Sequence, residues 1–124
     1  MSQDLTNNPI SMVAGADLSA STNLYKVVKF DATSGGCDIA GAGAHSIGVL
    51  VSLGKAGAAV SVAIDRTCKV VAGCAIAAGN KLIAGAAGVV VTATLTTGVD
   101  SIGFAMADAA AGDIIEMFFD RQKY

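Results

Sequence analysis

Three cysteines (Cys37, Cys68 and Cys74) and a single histidine, His45, are the residues of this chain best suited to nucleophilic or metal chemistry. A cysteine nucleophile needs an imidazole to take its proton, a third group to orient that base, and donors for the oxyanion. No signature for the orienting group or the oxyanion donors accompanies His45. The cysteines lack C-x-x-C spacing, and one histidine does not complete a Cys/His zinc set. They read as small buried hydrophobes in a chain made in a reducing cytosol. Glu116 is the sole glutamate and lies between Ile115 and Met117, the position of a solvent-facing strand residue. Asp108 and Asp113 come closest to paired carboxylates, but they flank an Ala-Gly turn, where aspartate bonds its local backbone. No G-x-x-x-x-G-K-[ST] or strand-led G-x-G-x-x-G offers a phosphate cradle. Thr92, Thr94 and Thr96 form one T-x-T row. Ice-binding faces stack several such rows, so this one reads as the wet face of a strand. The chain is expected not to be an enzyme and to need no cofactor or metal.

The elements that would position any site announce themselves by repetition. Gly43-Ala-His-Ser-Ile-Gly-Val-Leu-Val51, Ala56-Gly57 and Val60-Ser-Val-Ala-Ile-Asp-Arg66 recur as Gly98-Val-Asp-Ser-Ile-Gly-Phe-Ala-Met106, Ala111-Gly112 and Ile115-Glu-Met-Phe-Phe-Asp-Arg121. The leading Gly, Ser-Ile-Gly, Ala-Gly and Asp-Arg are identical at a constant offset, and His45 aligns with Asp100. Each copy reads as a short apolar strand, an Ala-Gly turn and an alternating strand. The repeated residues are turn glycines and core aliphatics, which position a backbone rather than react.

Elsewhere, residues 24–30 alternate as a half-buried strand, residues 33–36 form a glycine turn, and Asp65-Arg66-Thr67 forms the polar tip of a hairpin. Turns follow at 72–73, 78–80, 84–85 and 87–88, then a strand with Val89, Val91, Ala93 and Leu95 on one face. Residues 105–111 are rich in alanine but bracketed by Gly103 and Gly112, so a loop or single helical turn is expected there. Many short strands between regular turns indicate a small, mainly β single domain, a β-barrel or sandwich. Residues 1–12 are polar and aperiodic, an extended N-terminal arm, with the β-domain at 13–124.

The chain has 124 residues, 53% of them hydrophobic and 15% charged, and a net charge of −2. This composition points away from a disordered chain. With only two arginines there is no cationic stripe to displace counterions from phosphates, so no nucleic-acid partner is expected. The uncharged stretch 82–99 alternates and carries three glycines, which suits a strand rather than a membrane helix. No signal peptide is visible. A core of Ala and Val is thin, and so much apolar surface with so little charge suits contact with other protein chains.

The set Ile47-Gly-Val-Leu50, Ala56-Gly57, Val60-Ser-Val62, Val70-Val-Ala-Gly73, Ile76-Ala-Ala-Gly-Asn80, Gly88-Val-Val-Val91, Ile102-Gly-Phe104 and Ala110-Ala-Gly-Asp-Ile-Ile115 is similar to the capsid decoration (cement) proteins of tailed bacteriophages. The resemblance spans about residues 25–119. It implies a small β protein, commonly a homotrimer, made in the host cytoplasm and bound to the outer capsid surface at local threefold positions. There it holds copies of the major capsid protein together. On this reading the arm residues Ser2, Gln3, Asp4, Leu5, Thr6, Asn7, Asn8, Pro9, Ile10, Ser11 and Met12 contact the capsid. Removing residues 1–11 should weaken that contact and leave the fold intact. Phe104, Met106, Phe118 and Phe119, the large apolar groups late in the chain, are the candidates for a trimer seam. A carbohydrate-binding or adhesion β-domain is the alternative reading, for which a chain without Trp lacks the usual stacking platform.

Overall fold

Short β-branched runs punctuated by glycine leave little room for an α-helix, and none forms among the described residues. The computed structural model describes residues 9–31, 35–42, 46–64, 66–92 and 100–123. Ten strands follow one another: β1 (Ile10–Val13), β2 (Val27–Asp31), β3 (Gly36–Ile39), β4 (Ser46–Leu50), β5 (Ala59–Ala63), β6 (Thr67–Val71), β7 (Lys81–Ala84), β8 (Val90–Thr92), β9 (Asp100–Ala105) and β10 (Ile114–Lys123). Single 3-10 turns at Ser21–Asn23 and Ala86–Gly88 interrupt them.

The strands form two five-stranded sheets, ordered β1-β5-β4-β2-β3 and β6-β10-β9-β7-β8. Adding five to each label of the first order gives the second. The whole chain is therefore a tandem duplication, and the repeat visible in sequence is only its last third. The registers confirm it. Val49 pairs with Ala63 and Leu50 with Val62, as Phe104 pairs with Phe118 and Ala105 with Met117. Val28 faces Gly48 as Leu82 faces Gly103. Ser11 faces Ser61 as Lys69 faces Glu116. Even the isolated bridges recur, Ala14–Cys37 with Ala72–Val90 and Leu18–Gly54 with Ile76–Ala109. Each sheet curls until its two edges meet at one parallel bridge, and the pair makes a sandwich-like domain rather than a closed barrel.

The identical residues have definite tasks. Gly57 and Gly112 sit at φ +86° and +91° and donate their N–H groups to the Ala14 and Ala72 carbonyls, so they turn each unit the same way. Gly48 and Gly103 lie where any Cβ would strike the carbonyl oxygen of Ala63 or Phe118 on the next strand. Only glycine admits that approach.

Two clusters make up the core. One gathers residues of both sheets, among them Val27, Val49 and Ala63 from the first and Val70, Leu82, Ile102 and Met117 from the second. The other belongs to the first unit alone and includes Leu18, Val28, Leu50, Val60 and Val62. The first sheet is thus buried on both faces, which corrects the half-buried reading of residues 24–30. Val27 and Val28 are consecutive and both fully buried, while Lys29 and Phe30 are exposed. Each fully buried valine or leucine stabilises the fold by about 1.5–3 kcal/mol relative to exposure.

Two further expectations change and one holds. β5 and β6 do not pair as the expected hairpin: β5 ends in the first sheet and β6 opens the second, where it pairs with β10, and Asp65 of the expected tip lies outside the described residues. The second unit covers the apolar outer face of the first. Residues 106–112 form a bend, a bridge and a turn, the loop alternative. Finally, Ile10, Ser11 and Met12 of the expected arm belong to β1, paired with Val62, Ser61 and Val60.

Candidate interaction surface

The second sheet presents an apolar outer face built by strand alternation. Along β10, Ile115, Met117 and Phe119 are buried, whereas Ile114 and Phe118 point outward and are exposed. Phe118 lies directly across from Phe104 on β9, and their rings stack with centroids 5.3 Å apart at 22°. Such pairs are worth about 0.5–1.5 kcal/mol beyond their burial. Met106, just past the end of β9, adds a further exposed apolar side chain. Of the residues expected at a seam, Phe104, Met106 and Phe118 come together on this surface. Phe119 does not, since strand parity turns it into the core. Ile114 belongs to the face and escaped sequence reading, although the repeat sets it against Ala59, a small-to-large change of the same kind as Ala63 to Phe118.

The expected arm divides. Pro9 is exposed and Ile10–Met12 lie in edge strand β1, while residues 2–8 are outside the described residues. Ile10, Val13 and Phe30 leave large apolar side chains exposed on the first unit. Removing residues 1–11 would therefore strip half of β1, so a cut that spares the fold must end before Ile10.

The chemistry-bearing residues take structural positions. Cys37 and Cys68 are buried, Cys74 half-buried, and all three thiols are free. Burial, and after it the Asp38 carboxylate, raises the Cys37 thiol; burial and then Glu116 push Cys68 up to about 12. A cysteine nucleophile needs the opposite shift. His45 is outside the described residues. Asp108 accepts the Ala78 N–H at 2.8 Å and Asp113 the Ala110 N–H at 2.9 Å, so each carboxylate holds a turn. Hydrogen bonds from Ser19, hydroxyl first and backbone second, hold the Asp17 carboxyl below its ordinary value. Of the T-x-T row only Thr92 is described; its hydroxyl accepts from the Asn80 amide at 3.4 Å. Among the described residues no cluster of His, Cys, Asp or Glu could hold a metal ion, and no helix is long and apolar enough to cross a membrane.

No protein-family model and no curated protein matches the sequence. Among solved structures, the N base of head fiber gp8.5 from bacteriophage phi29 superposes with a TM-score of 0.72. The match covers 94% of this chain and 97% of that chain at 19% identity. At that identity the shared property is the fold.

Proposed function

We propose that this chain is a structural protein of a bacteriophage virion, a decoration protein that binds the outer surface of the capsid shell as a homotrimer and stabilises it. The observation that carries this reading is the likeness in fold, over 94% of the chain, to the phi29 head fiber base. The surface agrees with it: stacked Phe104 and Phe118, with Met106 and Ile114, are apolar groups placed for contact with protein. A protein that binds the assembled shell and not its dissociated subunits adds its binding free energy to shell stability, and many copies multiply a modest energy per site. The partners on this reading are the major capsid protein and further copies of the chain, with no nucleic acid and no membrane.

Co-sedimentation with heads of its own phage that lack the protein tests the proposal. The expected result is saturable binding at three copies per local threefold position. Failure to bind mature heads would end it. A variant lacking residues 1–8, which leaves β1 in place, asks in the same assay whether the arm acts as a latch.

A further inference from the structure

The two units are alike in fold, yet among the described residues only the first has its outer face covered. On the first unit that face carries Val27, Val49 and Ala63, each 0% exposed because the second unit lies against it. The registers place Lys81, Phe104 and Phe118 at the corresponding positions of the second unit. There Lys81 is exposed, Phe104 half-buried, and Phe118 42% exposed. Val51, which packs on the inter-sheet core, corresponds to Met106, 49% exposed.

The contact made by the first unit is directional. The turn between β7 and β8 presses Gly88 into it: a Cβ there would stand 2.8 Å from Ile39 Cγ2 and 3.0 Å from the Val27 oxygen. Lys26 Nζ also donates to the Ala87 carbonyl at 3.0 Å. The counterpart of Gly88 is Gly35, which has the same backbone (φ +77° against +78°) but open space around it. A two-fold relation would have buried both glycines and both outer faces alike. Among the described residues this leaves one uncovered face on the second unit and open space at Gly35 on the first.

We infer that the Phe104–Phe118 face of one copy receives the first unit of a second copy at its Gly35 turn, repeating between chains the contact made within the chain. This interface is heterologous, each chain giving one face and taking one, and such interfaces form rings where the rotation closes. It specifies how the proposed homotrimer is joined, and it rests on that reading for the number of chains.

Sedimentation equilibrium of the free protein tests it separately from head binding. The wild type is expected to be a trimer, and Phe118→Glu and Gly35→Asn to be monomers with the wild-type circular dichroism spectrum. Asparagine tolerates the left-handed backbone while adding bulk to the turn. Mixing the two variants should restore a one-to-one dimer, because one intact face and one intact turn remain between them. A face that paired with its own copy would leave Gly35→Asn associated by itself and give no mixed species with Phe118→Glu, which would overturn the inference, as would a trimeric Phe118→Glu. If Phe118→Glu loses its native spectrum, Met106→Glu on the same face replaces it in both arms. A monomeric wild type would overturn the self-docking, while co-sedimentation would still decide the capsid reading by itself.

Discussion

Replacing Gly48 by alanine puts the repeated Ser-Ile-Gly motif under direct test. Gly48 is buried on β4, paired with Val28 on one side and pressed by β5 on the other. The added Cβ would meet the carbonyl oxygen of Ala63 and lie 2.7 Å from Val62 Cγ1. The obstacle is backbone held in a ladder, so relief requires β4 and β5 to separate where Val49 pairs with Ala63. Overpacking of this kind costs about 3 kcal/mol, a large share of the roughly 5–15 kcal/mol that holds a domain folded. With an unfolding entropy of about 2.1 cal/mol/K per residue, the melting temperature should fall by about 12 °C. Two other glycines calibrate the result. Gly41 has nothing within 4 Å of its would-be Cβ and no positive φ, so Gly41→Ala should leave the melting temperature unchanged. Gly57 is also unobstructed but sits at φ +86°, so Gly57→Ala should cost only the backbone strain, about 1–2 kcal/mol. Differential scanning calorimetry of the three variants reads the series. Equal shifts for Gly48→Ala and Gly41→Ala would show that close strand approach is not why the motif carries glycine.

The thiols give two further tests. Cys74 should react with an aromatic disulfide reagent well before Cys37 and Cys68, whose labelling waits on opening of the fold; simultaneous reaction of all three would contradict their burial. Because the Cys68 thiol is held up to about 12 against an ordinary 9.0, the native state keeps its proton more tightly than the unfolded chain does. Its contribution is complete below pH 9 and lost as the pH rises through 12, with a slope of about 1.4 kcal/mol per pH unit. Urea midpoints measured across that window should fall more steeply for the wild type than for Cys68→Ala, and parallel curves would remove the effect.

Legibility followed chain offset. From Ser46 to Arg66 the copies run without insertion, so Ser-Ile-Gly, Ala-Gly and Asp-Arg align by eye. Upstream the spacing drifts: Ala14 corresponds to Ala72, Val28 to Leu82 and Cys37 to Val90. Insertions in the connecting loops change the offset each time, while the core exchanges one aliphatic for another. The tripeptide Val13-Ala14-Gly15, repeated as Val71-Ala72-Gly73, is a surviving signal of the larger duplication. Tyr25 shows how weak the trace becomes, since it holds φ +67° where the second unit uses Gly79 at +88°.

Turn chemistry, strand periodicity and the scarcity of charge are local properties, so the amino-acid sequence alone determined a small, mainly β chain with repeated strand-turn-strand units and a surface suited to protein contact. Its aromatics late in the chain were equally visible. Which of them face outward was not. Phe118 and Phe119 are adjacent and chemically identical, and only the pairing of β10 between β6 and β9 turns one to solvent and the other to the core. The same holds for the two units. Val49 and Phe104 occupy one position of one repeat, and the placing of β5 and β6 in different sheets buries the first and leaves the second half-exposed. Burial depends on which sheet lies against which, a relation between residues far apart in the chain that no local pattern encodes.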